Sequence, residues 1–369
     1  MKFICNKEEL IKGINIVMRA AYGKYQKSIL ECIHIKTVDQ SLVLDAFDMT
    51  TAMKTTVYAQ VEQPGETAIP ARILYDIVNK FPSGELIFER EEASIRISGA
   101  NSSAVLSEMD AQQFPAFPEM DAAEDKKITI KQKTFKEMID KTAFSAYTAE
   151  DRPIFTGLLI ETDPDAGTLS VVGIDGIRMA KKVTPISTKA KIKAVVPSKM
   201  LKEASRIMNE EDGDVTLCFN ENACYLSGES VEIFTRLLDG EFINYRAIIP
   251  IQYKTRVRVN TGLFERSLEL MMVLAREDSS NLIRMSIENS YIDLQSKSEY
   301  GETQDKLPVD MQGDMLRIAF NAKFLLDVFK VVEDEEVYME FTGRLQPCVI
   351  KPVSGDEFLY LVVPVNVAE

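Results

Sequence analysis

Closely spaced carboxylates are the nearest this chain comes to a catalytic arrangement. Asp45 with Asp48 and Asp163 with Asp165 are two that could be drawn as pairs. Paired carboxylates perform general acid–base work when their surroundings push their pKa values apart. Here the first pair stands on a strand-to-turn step and the second inside the tight turn TDPDAG. Aspartates in such turns ordinarily accept backbone hydrogen bonds, which is the reading adopted for both. The single histidine, His34, lies in the apolar alternation Ile33-His34-Ile35 and reads as a strand-face side chain. That removes most imidazole catalysis and most transition-metal sites. Cys5, Cys32, Cys218, Cys224 and Cys348 are scattered, odd in number and without a CxxC. They suit small buried thiols in a reducing cytoplasm better than a disulfide framework or a zinc site. No P-loop, GxGxxG or nucleophile elbow occurs. No catalytic residue, metal or cofactor is expected. What is left is recognition, by cationic side chains and by apolar surface.

The elements that would hold such residues repeat. MKFICNKEELIKGINIVMRA from Met1, KITIKQKTFKEMIDKTAFSA from Lys127 and TRVRVNTGLFERSLELMMVLARE from Thr255 share one plan. Each reads as an alternating strand, a polar step and an amphipathic helix. In the second, Phe135, Met138, Ile139, Thr142 and Ala143 share a helical face. Three strands joined by tight polar turns follow each helix. A second half-repeat opens at Glu66, Lys193 and Arg317, with Pro70 and Pro197 at helix starts, a position that tolerates proline. The pattern predicts a βαβββ unit used six times and paired into three similar α+β domains, 1–120, 127–250 and 255–369. The linker PEMDAAEDKK is short and polar. The 369 residues suffice for three separate cores. No apolar run approaches the ~18 residues of a membrane span. MKFICNKEEL lacks the basic-then-apolar plan of a signal peptide. A cytoplasmic location without membrane partners is expected.

Net charge is −14, which taken alone opposes nucleic acid binding. Its distribution is uneven. The six predicted helices (7–21, 70–81, 131–146, 197–209, 261–277 and 321–333) sum to +5, which leaves −19 on strands and loops. Helices gathered on one side would make a basic surface that attracts phosphates, backed by an acidic one that repels them. Twelve helices from two chains, set ~9 Å apart in a circle, would leave a bore of roughly 24 Å. Duplex DNA, about 20 Å across, would pass loosely through it, which suits sequence-blind sliding.

Particular residues then point to a family. MKF at the start, Pro70-Ala71-Arg72, Phe114-Pro115, Asp175-Gly176-Ile177-Arg178-Met179-Ala180, Leu238-Asp239-Gly240-Glu241-Phe242 through Tyr245, and Val363-Pro364-Val365 occur together. Over its whole length the chain resembles the bacterial sliding clamp, the beta subunit of DNA polymerase III. The resemblance implies the DNA clamp fold, helices lining a pore with sheets outside, in a head-to-tail homodimeric ring around double-stranded DNA. It implies a non-enzymatic processivity subunit whose partners are the polymerase III catalytic subunit, the clamp loader complex and other clamp-binding-motif proteins. A three-domain protein-interaction scaffold that does not encircle DNA is the alternative reading.

By the same resemblance, a partner-peptide groove is lined by Phe155, Ile174, Gly176, Arg178, Met179, Ile243, Ala247, Ile248, Leu345, Pro347, Leu361, Val363, Pro364 and Val365. It would take a Leu or Phe anchor. Replacing Met179 and Leu361 together by alanine is expected to weaken peptide binding and leave the dimer intact. Ile243, Ile177 and Ala247 depart from the proline, histidine and basic residue found in relatives, which alters the rim. DNA-facing positions are Lys12, Arg19, Lys24, Lys80, Lys136, Lys141, Arg152, Lys199, Lys202, Arg206 and Lys323. Pro153 and Ile154 replace aromatics that some relatives carry beside Arg152, so base stacking there is not expected. The dimer contact sets Ala104 and Leu106 against Val273 and Leu274, and Arg72 and Arg96 against Glu299, Glu302 and Asp305.

Overall fold

The structure, a computed structural model, describes residues 1–21, 28–119, 123–208, 213–277 and 280–367. Among them are six α-helices: α1 (Lys7–Val17), α2 (Ala71–Lys80), α3 (Gln132–Asp140), α4 (Ser198–Ile207), α5 (Thr261–Ala275) and α6 (Ala322–Phe329). The order strand, helix, three strands recurs six times, with two short additions, Gln60–Gln63 and Asp310–Gly313. The α+β expectation therefore holds.

Local chemistry explains where the helices start. Asn6 Oδ1 accepts from the backbone N–H groups of Glu8 and Glu9 at 2.9 and 3.2 Å. Asn260 does the same for Leu263 at 2.9 Å and Asn321 for Lys323 at 3.0 Å. Each satisfies a donor that the first helical turn cannot. α3 ends earlier than its periodicity predicts. The Thr142 hydroxyl donates back to the Met138 carbonyl at 2.7 Å, and the chain passes into a 3₁₀ turn over Ala143–Ser145. The predicted face survives, because Phe135, Met138, Ile139, Thr142 and Ala143 are all buried.

The chain forms two compact units. One comprises Met1–Phe135 with Glu203–Leu237, the other Lys136–Lys202 with Leu238–Glu369. The division runs through the expected central domain, and strand pairing shows why. In the first unit an antiparallel sheet runs Lys127–Lys131, Asp214–Phe219, Ala223–Ser227, Val231–Arg236, Thr51–Tyr58, Ser41–Phe47, Cys32–Val38 and Glu66–Pro70. Its junction sets Ile233 opposite Met53 and Phe234 opposite Ala52. In the second unit Arg178–Pro185 pairs with Phe358–Val362 in the same manner, with Met179 opposite Leu361.

Each unit also has a smaller sheet. The first orders Gln60–Gln63, Lys2–Asn6, Glu85–Glu91, Ser94–Gly99 and Ser102–Ser107. The second orders Gly301–Pro308, Tyr291–Ser298, Leu282–Ile287 and Leu316–Asn321. Ser102–Ser107 and Gly301–Pro308 are thus edge strands.

Helices seal the sheets with apolar faces. In the first unit Leu10 and Ile14 of α1 and Leu74 of α2 are fully buried. Each is worth ~1.5–3 kcal/mol of apolar transfer. Gly13 lets α1 lie close, since a Cβ there would meet the Val57 side chain at 2.6 Å. In the second unit the Phe264 and Phe329 rings join α5 to α6 with centroids 4.5 Å apart.

Candidate peptide groove and DNA-facing residues

Every residue of the expected groove lies in the second unit. The turn Asp175-Gly176-Ile177 begins it. Asp175 Oδ1 accepts from the N–H groups of Ile177 and Arg178, both at 2.9 Å, and Gly176 takes φ +91°, which a side chain would resist. The turn brings Met179 into register with Leu361 on the neighbouring strand. Ile174, Met179 and Leu361 then form one apolar cluster with Leu159, Val172, Val195, Phe242 and Tyr245, against which Phe155 and Val363 pack.

Ala247, Ile248 and Pro347 lie elsewhere. With Ile249, Pro250, Ile251, Gln252, Thr342 and Gln346 they line an open concavity. Leu345 and Val365 line a second one. Ile243 is 42% exposed. The Val363 N–H donates to Ile177 O and the Val365 N–H to Ala319 O, both at 2.8 Å. Pro364, between them, has no N–H to offer. The structure thus divides the expected residues among a buried apolar cluster and two open concavities, of which the one at Ile248 and Ile251 presents exposed apolar side chains.

Arg178 is held by contacts within its own unit. Its guanidinium donates to Asp175 at 3.0 Å, to the Phe144 carbonyl at 2.8 Å and to Asp327, and it lies over the Phe324 ring at 4.7 Å. Only 10% of the side chain is exposed. A planar cation with those partners ties the turn to α6 and has little left for a ligand.

Several residues here were not assigned to the site from the sequence. Phe242 and Tyr245 are buried in the cluster, and Tyr245 donates its hydroxyl to Glu161. Arg246 holds the same carboxylate at 2.6 Å and lies 4.8 Å over the Tyr245 ring. Burial together with the Glu161 carboxylate keeps the phenol protonated far above its usual range. Ile251, 98% exposed, sits on the rim and belongs to no periodic pattern.

Comparison with known proteins follows this geometry. Models of the N-terminal, central and C-terminal domains of the DNA polymerase III beta subunit match residues 1–118, 129–244 and 246–366. A crystal structure of a putative DNA polymerase III beta subunit from Eubacterium rectale is 30% identical over 100% of both chains, with a TM-score of 0.93. The chain belongs to the DNA polymerase III beta subunit family, the bacterial sliding clamps. The Bacillus subtilis sliding clamp structure is 27% identical over 100% of both chains, with a TM-score of 0.94. The beta sliding clamp of Staphylococcus epidermidis is 27% identical across 99% of each chain.

For a clamp-family chain the basic helix residues matter next. Lys80, Arg152, Lys199 and Lys323 are exposed, and Lys136 and Lys202 are half-buried. Lys12 is exposed and pairs with Glu9 at 2.7 Å. Within the first unit Arg19 pairs with Glu203, whose other oxygen accepts from Arg206 at 2.7 Å. One carboxylate thus offsets part of that cationic pair. Lys24 lies outside the described residues. Lys141 is buried, with Nζ 2.8 Å from Glu137 and 3.0 Å from Glu333. Burial opposes its charge, and the two carboxylates overcome that and raise its pKa. Its charge is spent on these two carboxylates within its own unit.

The expected dimer residues also divide. Val273 is exposed, and Leu274 and Ala104 are half-buried. Leu106 is corrected: it points into its own sheet's core, and the strand alternation turns Val105, 51% exposed, outward. Arg96 is held by Glu91 at 2.6 and 2.9 Å, and Asp305 accepts from Ser267. Both are therefore satisfied within their own units. Arg72, Glu299 and Glu302 stay exposed, with Arg72 no closer than 3.9 Å to Asp76. Among the described residues no group of three or more His, Cys, Asp and Glu could hold a metal ion. No helix among them is long and apolar enough to cross a membrane.

Proposed function

We propose that two copies of this chain close head to tail into a ring that encircles duplex DNA and tethers the replicative polymerase to it. Strand topology carries this reading. Inside the chain, the last strand of one half-repeat pairs with the third strand of another, twice: Val231–Arg236 with Thr51–Tyr58, and Phe358–Val362 with Arg178–Pro185. The corresponding strands left over are Ser102–Ser107 and Gly301–Pro308, both at sheet edges. An open edge invites pairing, and the same rule applied between chains joins the first domain of one to the third of the next. Such a heterologous contact closes into a ring when its rotation closes.

Three domains, 1–120, 127–250 and 255–369, make up each half of the ring. Lys12, Arg19, Lys80, Lys136, Arg152, Lys199, Lys202, Arg206 and Lys323 supply a weak, salt-sensitive attraction to phosphates. The topological link supplies retention, and a clamp loader opens the ring. The apolar groove holds the polymerase III catalytic subunit and other motif-bearing proteins, so rebinding at the primer end becomes intramolecular. The chain acts as a processivity subunit in the cytoplasm and performs no chemistry of its own.

Light scattering across a dilution series tests the ring first. A mass near twice 41.5 kDa is expected. A monomer at every micromolar concentration would return the scaffold reading to the front. The second step is retention, after loading, on circular but not linearised DNA in high salt.

A further inference from the structure

The concavity lined by Leu345 and Val365 has a character unlike the rest of this acidic chain. It is about 530 Å³ in volume and is also lined by Arg284, Arg317 and Arg344. Arg284 stands opposite Ala319, and Arg317 opposite Ser286, on adjacent antiparallel strands. The two arginines are therefore diagonal neighbours on one face, about 7–8 Å apart at Cα. Both are exposed, and no ion pair is formed by either among the described residues. Asp293, on the next strand, accepts from Gln304 Nε2 at 2.8 and 2.9 Å and from Gln295. Those neutral donors occupy its oxygens, and it makes no ion pair with Arg284 or Arg317 among the described residues.

We infer that Arg284 and Arg317 form an anion-accepting extension of the peptide groove, which takes carboxylate side chains flanking the apolar anchor of a partner peptide. The inference rests on the groove proposed above and adds a second specificity to it. Continuity supports it through the C-terminal segment, because Val363 packs against the buried cluster and Val365, two residues on, lines this concavity. The Val365 N–H donates to Ala319 O at 2.8 Å, so the groove's C-terminal wall is fastened to the strand that carries Arg317. The lining also selects the kind of anion. Val365 and Val367 give an apolar wall, while Glu288 and Asp293 also line the concavity, Asp293 opposite Ser286 and diagonal to Arg284. An extended polyanion would meet both acids along its length, whereas a single carboxylate seated between the two arginines meets Asp293 alone and is outweighed by two cations.

Fluorescence anisotropy with two synthetic peptides tests this. One carries a Leu-Phe anchor flanked on both sides by Asp-Asp, the other the same anchor flanked by Ser-Ser. The acidic peptide is expected to bind the whole chain about three- to tenfold more tightly at low ionic strength, an advantage that shrinks with salt. Arg284→Gln with Arg317→Gln should abolish the advantage and leave the Ser-flanked peptide unchanged. Arg284→Lys with Arg317→Lys should keep most of it. Equal affinity of both peptides for the parent chain overturns the inference and leaves the groove standing. Absence of binding by either overturns the groove and this extension together. Unchanged peptide affinities in the Gln variant, with lowered retention on circular DNA, would reassign the arginines to phosphate contacts and overturn it too.

Discussion

Replacing both Met179 and Leu361 by alanine should damage the fold of the second unit more than it informs on peptide binding. The two residues face each other in register on neighbouring strands and are 1% and 3% exposed. Each truncation removes buried methylenes from a cluster that includes Val172, Phe242 and Tyr245. A buried Met or Leu cut to Ala costs ~2–5 kcal/mol, and neighbours sharing one cavity couple, so about 4–8 kcal/mol is expected for the pair. Domains hold only ~5–15 kcal/mol in total. Thermal unfolding followed by circular dichroism should show a transition lowered by on the order of 10–20 °C. Peptide affinity would fall with it, for an indirect reason. A double variant that melts within a degree or two of the parent would refute this reasoning, since the cluster would then be an open pocket and not packed core. Ile248→Ser with Leu345→Ser avoids the difficulty: both side chains are on the rim, 36% and 53% exposed, and should weaken an apolar-anchored peptide with little change in melting.

Other outcomes follow from the same structure. Val105→Asp with Val273→Asp places charge on two outward apolar side chains, each 51% exposed, at the proposed junction. Light scattering at micromolar concentration should then report a mass near 41.5 kDa in place of its double. His34 sits 2.9 Å from Asp45 and 3.5 Å from Glu66; burial disfavours its charge, but the carboxylates prevail and its pKa is raised. A raised folded pKa gives stability that is fully present below the unfolded value of about 6.5 and is lost as pH climbs through the folded one. The melting advantage of the parent over His34→Asn should accordingly be largest in mild acid and shrink toward alkaline pH. Lys80→Glu with Lys199→Glu, at two exposed positions without an ion pair among the described residues, should lower the salt slope of DNA binding by about two.

The repeat could be read in the sequence because burial on a helix or strand leaves a periodic trace. Phe135, Met138 and Ile139 announce a helix whether or not its neighbours are known, and Asn6 and Asn321 mark starts by their own side-chain chemistry. Pairing between half-repeats leaves no such trace. Ile233 meets Met53, and the Thr55 hydroxyl donates to Ser230 O at 2.8 Å, across nearly half the chain. Alternation says that Ile233 is buried but not against what. Long-range charge partners were hidden for the same reason. Lys141 reads as an available cation from the sequence, and Arg178 as a groove-wall residue, with nothing to show that the fold brings Glu333 to the one and Asp327 to the other.

A deeper asymmetry affects the candidate groove. The resemblance named Ile174, Met179 and Leu361, which form a floor already covered by their neighbours, together with Ile248 and Leu345. A peptide gains most from apolar surface that is still wet, because only area removed from water on binding contributes. That surface is Ile248, Ile251 and Leu345, in turns and a linker where period and propensity are silent. Ile251 is the extreme case, almost wholly exposed yet flanked by Pro250 and carried by no helix or strand. The floor therefore fixes the shape of the site, while the exposed rim supplies the free energy that discriminates among partners. Variation at rim positions such as Ile177, Ile243 and Ala247 should then shift peptide preference and leave stability nearly unchanged.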